Sequence, residues 1–285
     1  MADDKTPHVA GYGMGSVDTV LSVEDAGREA EALGAGVARA TLMALADGQP
    51  ALELCGLCAG YGGMEILHGI DLALGRGQSL CLIGPNGAGK STVLHAIFGL
   101  ADVTAGAVLA GGENVTGLSA REKLRRARLS YVLQDNSVFA DMTVEENLLL
   151  GGYLLPSAQA QEAVEGVFAR YDRLALRRRE KAGVLSGGER RLLEISRALV
   201  LDPDILLIDE PSIGLEPRFI DMVFEILAEL QRTDGKTILM VEQNAKKGLA
   251  FADLGYVLVS GRVALAGAGD DLLVDPRVGR LFLGG

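Results

Sequence analysis

The sequence predicts an α/β fold built on a parallel sheet, and two patterns predict it. Residues 79–83 form an apolar, strand-like run that passes through a glycine-rich turn into a helical stretch beginning at Lys90. Residues 205–208 and 237–241 are apolar, β-rich runs, and between them residues 217–231 place Phe219, Val223, Ile226, Leu227 and Leu230 on one helical face. Strand, helix, strand, with both strands apolar nearly throughout, is the signature of a parallel sheet covered on both faces.

The other elements follow in order. Residues 51–57 and 66–74 read as strands separated by glycine-rich turns, so the early part is mixed β structure. Helical periodicity marks residues 120–127, 161–171 and 189–201, and Thr143-Val-Glu-Glu146 is a capping box that starts another helix. Residues 256–260, Gly261 and residues 262–265 have the pattern of a hairpin. Residues 1–50 differ from the rest, being rich in Ala, Gly and acids, and read as an extension. Within it Ser22 and Asp25 start a possible helix, continued at Ala26, Ala30, Leu33, Val37 and Thr41 and weakened by Gly34 and Gly36. The disordered alternative for this extension stays open.

With 285 residues the chain suits one α/β domain plus appendages better than two complete nucleotide-binding domains. A formal charge of -11 argues against general affinity for nucleic acid or anionic lipid, so any phosphate must be held locally. No signal-peptide pattern and no run of bilayer-spanning length is present, which makes a cytoplasmic protein the expectation. Cys55-Gly-Leu-Cys58 has no second pair and no nearby His, and reads as small apolar strand residues.

The run Gly84, Pro85, Asn86, Gly87, Ala88, Gly89, Lys90, Ser91, Thr92 fits the P-loop pattern, and it has the strand and the helix the motif requires. Glycines let the backbone curl around phosphate oxygens, with the positive end of the next helix beneath them. Lys90 brings a charge to the β- and γ-phosphates, the Ser91 hydroxyl is placed to ligate Mg²⁺, and Thr92 contacts phosphate nearer the nucleoside. Taken alone the loop would suit kinases, GTPases and many ATPases.

Asp209 and Glu210 stand at the C-terminal end of an apolar strand, where ligands gather in open α/β sheets. Asp209 most simply holds Mg²⁺, and Glu210 then orients and deprotonates the water that attacks the γ-phosphate.

Leu185-Ser186-Gly187-Gly188-Glu189 opens a helix shortly before this strand, and here the sequence resembles the ABC ATPase family. Physically, Gly187 and Gly188 expose backbone N–H groups at a helix start and Ser186 adds a hydroxyl, which makes a second anion site. The resemblance implies that this site caps ATP held by the opposite subunit of a head-to-tail dimer. It also implies a RecA-like parallel-sheet core, an antiparallel β subdomain and a helical subdomain at about residues 136–195, within a nucleotide-binding domain at 51–285. Tyr61 matches the aromatic that stacks on adenine. Gln134 matches the residue that links Mg²⁺ and the attacking water to the membrane subunit.

Residues 213–216 resemble the family loop that crosses between subunits, with Glu216 where Asp is frequent. The family's usual γ-phosphate His is absent: Gln243 follows the strand, and the histidines are His8, His68 and His95. An amide can donate one hydrogen bond but cannot become cationic. Residues 241–245, Val-Glu-Gln-Asn-Ala, resemble the subgroup that serves importers of branched-chain and other hydrophobic amino acids. Glu189, Thr143-Val-Glu-Glu-Asn-Leu148 and a short tail ending Leu281-Phe-Leu-Gly-Gly285 do so too. Gln134, where that subgroup often has Glu, and residues 135–140 depart from it.

The resemblance therefore implies an ATP-hydrolysing subunit, with ATP and Mg²⁺, that drives an importer of amino acids or of urea- and amide-type solutes. Its expected partners are a second ATPase subunit, two membrane permeases and, indirectly, a solute-binding protein. It would sit peripherally on the inner face of the plasma membrane. A soluble ATPase of assembly or signalling, and a nucleotide-binding subunit that hydrolyses little, are the alternatives.

Overall fold

The computed structural model describes residues 37–134 and 137–283, and two sheets organise them. The first is antiparallel, with β1 (Pro50–Tyr61), β2 (Met64–Gly75), β4 (Asp102–Ala110) and β5 (Glu113–Asn114) in the order β2-β1-β4-β5. The second has six strands in the order β10-β9-β3-β8-β7-β6, from β3 (Ser79–Ile83), β6 (Leu129–Val132), β7 (Ile205–Asp209), β8 (Thr237–Val241), β9 (Leu254–Val259) and β10 (Arg262–Ala268). All neighbours in it are parallel except β9 and β10, which form the expected hairpin.

The fully apolar strands are explained by burial on both faces. Cys81, Ile83, Leu206, Ile208, Ile238 and Met240 join one core cluster, shared with the helices that follow β6. Their alternate neighbours Leu80, Leu82, Leu207, Leu239 and Val241 join a second cluster beneath the antiparallel sheet. Alternation thus sorts one continuous run into two cores.

α1 (Arg39–Leu45) lies before β1 and contains Thr41. It packs on β2 and buries Leu42 and Ala46 in the second cluster. Arg39 pairs with Glu53, and Gln78 Nε2 donates to Leu45 O at 3.1 Å. The helix start expected at Ser22 and Asp25, with Ala26, Ala30 and Leu33, lies outside the described residues, as do His8, Asp135 and the final Gly284-Gly285.

α2 (Lys90–Phe98) follows the glycine-rich turn, and α3 (Ala120–Arg126) leads into β6. Between β6 and β7 come α4 (Val144–Gly151), α5 (Ser157–Arg170), α6 (Asp172–Leu176) and α7 (Gly187–Leu199). Thr143 caps α4 by the expected box, accepting from Glu146 N at 3.1 Å. α8 (Pro217–Arg232) buries Val223, Ile226, Leu227 and Leu230 of the stripe read from the sequence and leaves its fifth member, Phe219, half-buried, with proline at its first turn. α9 (Ala245–Phe251) precedes β9, and short helices after β10 close the chain. The strand β4 has Asp102, Thr104 and Gly106 breaking its first half and only the short apolar run Ala107 to Ala110, and was not legible as a strand; its ladder comes from pairing with β1. No described helix is long and apolar enough to cross a membrane.

Candidate functional site

The site gathers at the C-terminal ends of β3, β7 and β8. From β3 the chain turns through Gly84 to Gly89, and the turn admits glycine for steric reasons. A Cβ on Gly84 would lie 2.2 Å from Leu258 O, and Gly89 has φ 97° with Leu67 Cδ2 2.9 Å from where its Cβ would be. Pro85, Asn86 and Gly87 form the outer part of the turn, while Ala88, Gly89 and Lys90 are buried. Lys90 Nζ donates to Gly84 O at 2.9 Å and to Pro85 O at 3.1 Å, which ties the loop around the ammonium. Burial pulls this ammonium below the usual lysine value, and the carboxylates of Glu210 and Asp209 oppose the pull. Thr92 is buried behind the loop.

Ser91, one residue along α2, donates its hydroxyl to Asp209 Oδ1 at 3.1 Å. The other oxygen, Oδ2, accepts from the Tyr131 hydroxyl at 3.0 Å. Burial and then the Asp209 charge raise Tyr131 far above the usual phenol value, so it stays a neutral donor. Glu210 follows with φ 43°, a left-handed backbone that costs an ordinary residue about 1–2 kcal/mol. Its N–H donates to Val241 O at 2.9 Å, which holds the turn against β8. Burial, and after it Asp209, hold the Glu210 carboxyl above the usual carboxylate range, against the pull of Lys90.

Gln134, two residues after β6, donates from Nε2 to Glu210 Oε2 at 3.0 Å. Lys90, Ser91, Asp209, Glu210 and Gln134 are therefore brought together. Gln243 makes no side-chain hydrogen bond to them among the described residues: it lies two residues beyond Val241, the register partner of Asp209, and is exposed. The residue before it, Glu242, is 2% exposed and accepts from the Ser212 hydroxyl at 2.7 Å, which ties the segment after Glu210 to the segment carrying Gln243.

Tyr61 ends β1 with its hydroxyl bonded to His95 Nδ1, which anchors it to α2, and the residue stays 39% exposed. The His95 ring in turn meets the Tyr131 ring edge-on at 5.8 Å. A chain of contacts thus runs from Tyr61 through His95 and Tyr131 to Asp209.

Ser186 caps α7 and accepts from Glu189 N at 3.3 Å, while Glu189 Oε2 accepts from Ser186 N at 2.9 Å. This capping box was missed in the sequence, as was that of Ser119 and Glu122 at α3, although both pairs have the required spacing. Gly188 is buried against α8: a Cβ there would lie 2.2 Å from the Phe219 ring. Gly187 is exposed. Among the described residues no hydrogen bond joins Ser186, Gly187 or Gly188 to the phosphate loop, so these two anion sites of one chain stand apart.

Sequence reasoning also missed Tyr131, His95, Arg191 and Glu194. The last two fall on the buried stripe of α7, three residues after Gly188 and one before Ile195, where charges among Leu192, Leu193 and Ile195 are the legible signal.

The ABC transporter family model matches residues 67–213. The chain is 40% identical over 225 residues to BraG of Pseudomonas aeruginosa, a high-affinity branched-chain amino acid transport ATP-binding protein, covering 79% of this chain and 96% of that one. It is 37% identical over 228 residues to LivF of Archaeoglobus fulgidus, a probable branched-chain amino acid transport ATP-binding protein, covering 80% and 96%. The solved ADP conformation of MJ1267, an ATP-binding cassette of an ABC transporter, superposes with a TM-score of 0.72 at 28% identity, covering 82% of this chain and 99% of that one. The chain belongs to the ABC transporter family, as a nucleotide-binding subunit that hydrolyses ATP.

Proposed function

We propose that the chain powers an importer of branched-chain or other amino acids, with urea- and amide-type solutes as the nearby class. The observation that carries the ATPase is the meeting of the phosphate loop with Asp209 and Glu210. The cargo reading is supported by the transport that the names of BraG and LivF state for those proteins.

In the proposed reaction Gly84, Pro85, Asn86, Gly87, Ala88 and Gly89 cradle the phosphates through backbone N–H groups, and Lys90 and Thr92 hold them by charge and hydroxyl. Tyr61 stacks on adenine, and Glu210 takes the proton of the attacking water while Gln134 holds that water in place. A carboxyl held above the usual range suits a base, because it binds the proton more strongly. Gln243 donates one hydrogen bond toward the γ-phosphate.

Ser91, Asp209 and Gln134 would hold Mg²⁺. The donors fit that ion: hard oxygens from a hydroxyl and one carboxylate meet at 3.1 Å, and Mg²⁺ uses one or two carboxylates and takes its other ligands from water and phosphate. Mg²⁺ would neutralise charge on the phosphates as the bond to the leaving group breaks.

We assign residues 51–285 to the nucleotide-binding unit, with about 136–195 as its helical part, and residues 1–50 as an extension whose α1 docks on β2. Ser186, Gly187 and Gly188 cap the nucleotide of a second ATPase subunit, identical or a sister. ATP shifts open and closed dimers only as far as it binds them unequally, and this second site supplies the difference.

Membrane permeases are the partners that turn closure into movement. A groove of about 620 Å³ beside Gln134, lined by Phe98, Leu133, Phe139, Leu150, Tyr153 and Arg197 among others, is the surface for a permease segment. Leu133, Phe139 and Tyr153 are 40%, 54% and 58% exposed there, a cluster of exposed apolar side chains that a docked segment would cover. A solute-binding protein would deliver cargo on the far side, and this subunit would lie on the inner face of the plasma membrane.

The test is to isolate the tagged chain from gently solubilised native membranes and identify its companions. Two permeases, a second ATPase and a solute-binding protein are the expected result, and the ligand of the binding protein names the solute. Soluble companions alone would replace the importer by an ATPase of assembly or signalling.

A further inference from the structure

We infer that Arg191 and Glu194 are positioning residues for ATP hydrolysis, which hold the Gln134 segment at the distance from Glu210 that turnover needs. The inference rests on the reading of Glu210 as base and Gln134 as its partner.

Both side chains are nearly sealed, at 5% and 4% exposure, and Arg191 Nη1 donates to Glu194 Oε2 at 2.9 Å within α7. A buried ion pair is a poor source of net stability, because desolvation offsets the attraction, so its presence calls for another reason. The remaining bonds supply one. Arg191 Nη1 also donates to Leu133 O at 2.8 Å, and Nη2 donates to Asp209 O at 2.9 Å. Glu194 Oε1 accepts from Ser137 N at 2.8 Å.

One guanidinium therefore spans the residue immediately before Gln134 and the strand end that delivers Asp209 and Glu210. Its planar, rigid fork fixes the spacing of those two backbones in a way a flexible ammonium would not. The paired carboxylate takes hold of the same segment three residues after Gln134. Between these grips Gln134 meets Glu210 at 3.0 Å. Glu194 also lines the groove beside Gln134, so the pair joins that wall to the catalytic strand without touching nucleotide itself.

The test replaces both residues by neutral amides, Arg191→Gln with Glu194→Gln, which keep hydrogen-bonding capacity but not the fork. The variant is measured alone and with Gln134→Ala, by steady-state ATP turnover of the full chain, with thermal unfolding to verify the fold. We expect kcat to fall about tenfold to a hundredfold while KM for ATP stays within about twofold, since positioning and not binding is lost. The same amide replacements in the Gln134→Ala background should cause little further loss, because the pair acts through Gln134. An unchanged kcat, losses that multiply across the two backgrounds, or a Gln134→Ala chain as fast as the parent would each overturn the inference. If the double variant does not fold, Glu194→Gln alone provides the same comparison through its grip on Ser137. Glu210→Gln measured in parallel separates failure of this inference from failure of the reading beneath it, which would show as retained turnover.

Discussion

Gln134 Nε2 and Glu210 Oε2 share a hydrogen bond of 3.0 Å. One partner sits on a segment whose neighbours line an apolar groove, and the other follows directly on the strand that ends at Asp209. Any force on the groove therefore has a short path to the carboxylate, through one polar contact and the α7 residues that brace it.

Replacing Glu210 by Gln should lower ATP turnover by about a hundredfold or more while ATP binding persists, as loss of a general base does. Phosphate release and nucleotide affinity measured on the same preparation check it. Unchanged turnover removes Glu210 from the chemistry.

Gln243→His should be tolerated or activating, because the exposed position has room and the new side chain can carry a proton as well as donate one. Steady-state turnover decides. Abolished hydrolysis would mean that Gln243 does not face the γ-phosphate.

Lys123 is fully buried, its Nζ has no hydrogen-bond partner among the described residues, and burial lowers its pKa from 10.5 to about 8. Between these values the unfolded chain binds more protons than the folded one, so stability should rise as pH increases from about 8 toward 10.5. Lys123→Met should abolish that rise and stabilise the protein at pH 7 by about 1–3 kcal/mol. Denaturant unfolding of both chains at pH 7 and near pH 10 tests it; an unchanged pH dependence would show that the ammonium is hydrated.

Gly188→Ala should cost about 1–3 kcal/mol, because its Cβ would lie 2.2 Å from the Phe219 ring and one helix must shift. Phe219→Leu should recover part of the loss. Additive losses in denaturant unfolding would show that the two helices do not meet as described.

Much of this protein was readable along the chain, since its chemistry sits in contiguous motifs. A phosphate loop needs glycines, a lysine and a hydroxyl in one turn, so the run from Gly84 to Thr92 declares itself. An acid pair ending an apolar strand does the same for Asp209 and Glu210. The β7–α8–β8 unit was equally plain, because strand burial on two faces and a helical stripe leave different periods in the sequence.

What required the folded chain is whatever depends on contact between distant segments. Tyr131 in β6 reaches Asp209 in β7, Tyr61 is anchored by His95, and Glu242 takes the hydroxyl of Ser212. Such contacts pair residues that obey no local spacing rule. The strand β4 belongs with them, because its Asp, Thr and Gly interrupt any local period and its ladder comes from β1. Local sequence writes propensity and motif, whereas the partner of each buried polar group is chosen by packing, where an unpaired one would cost about 1–3 kcal/mol.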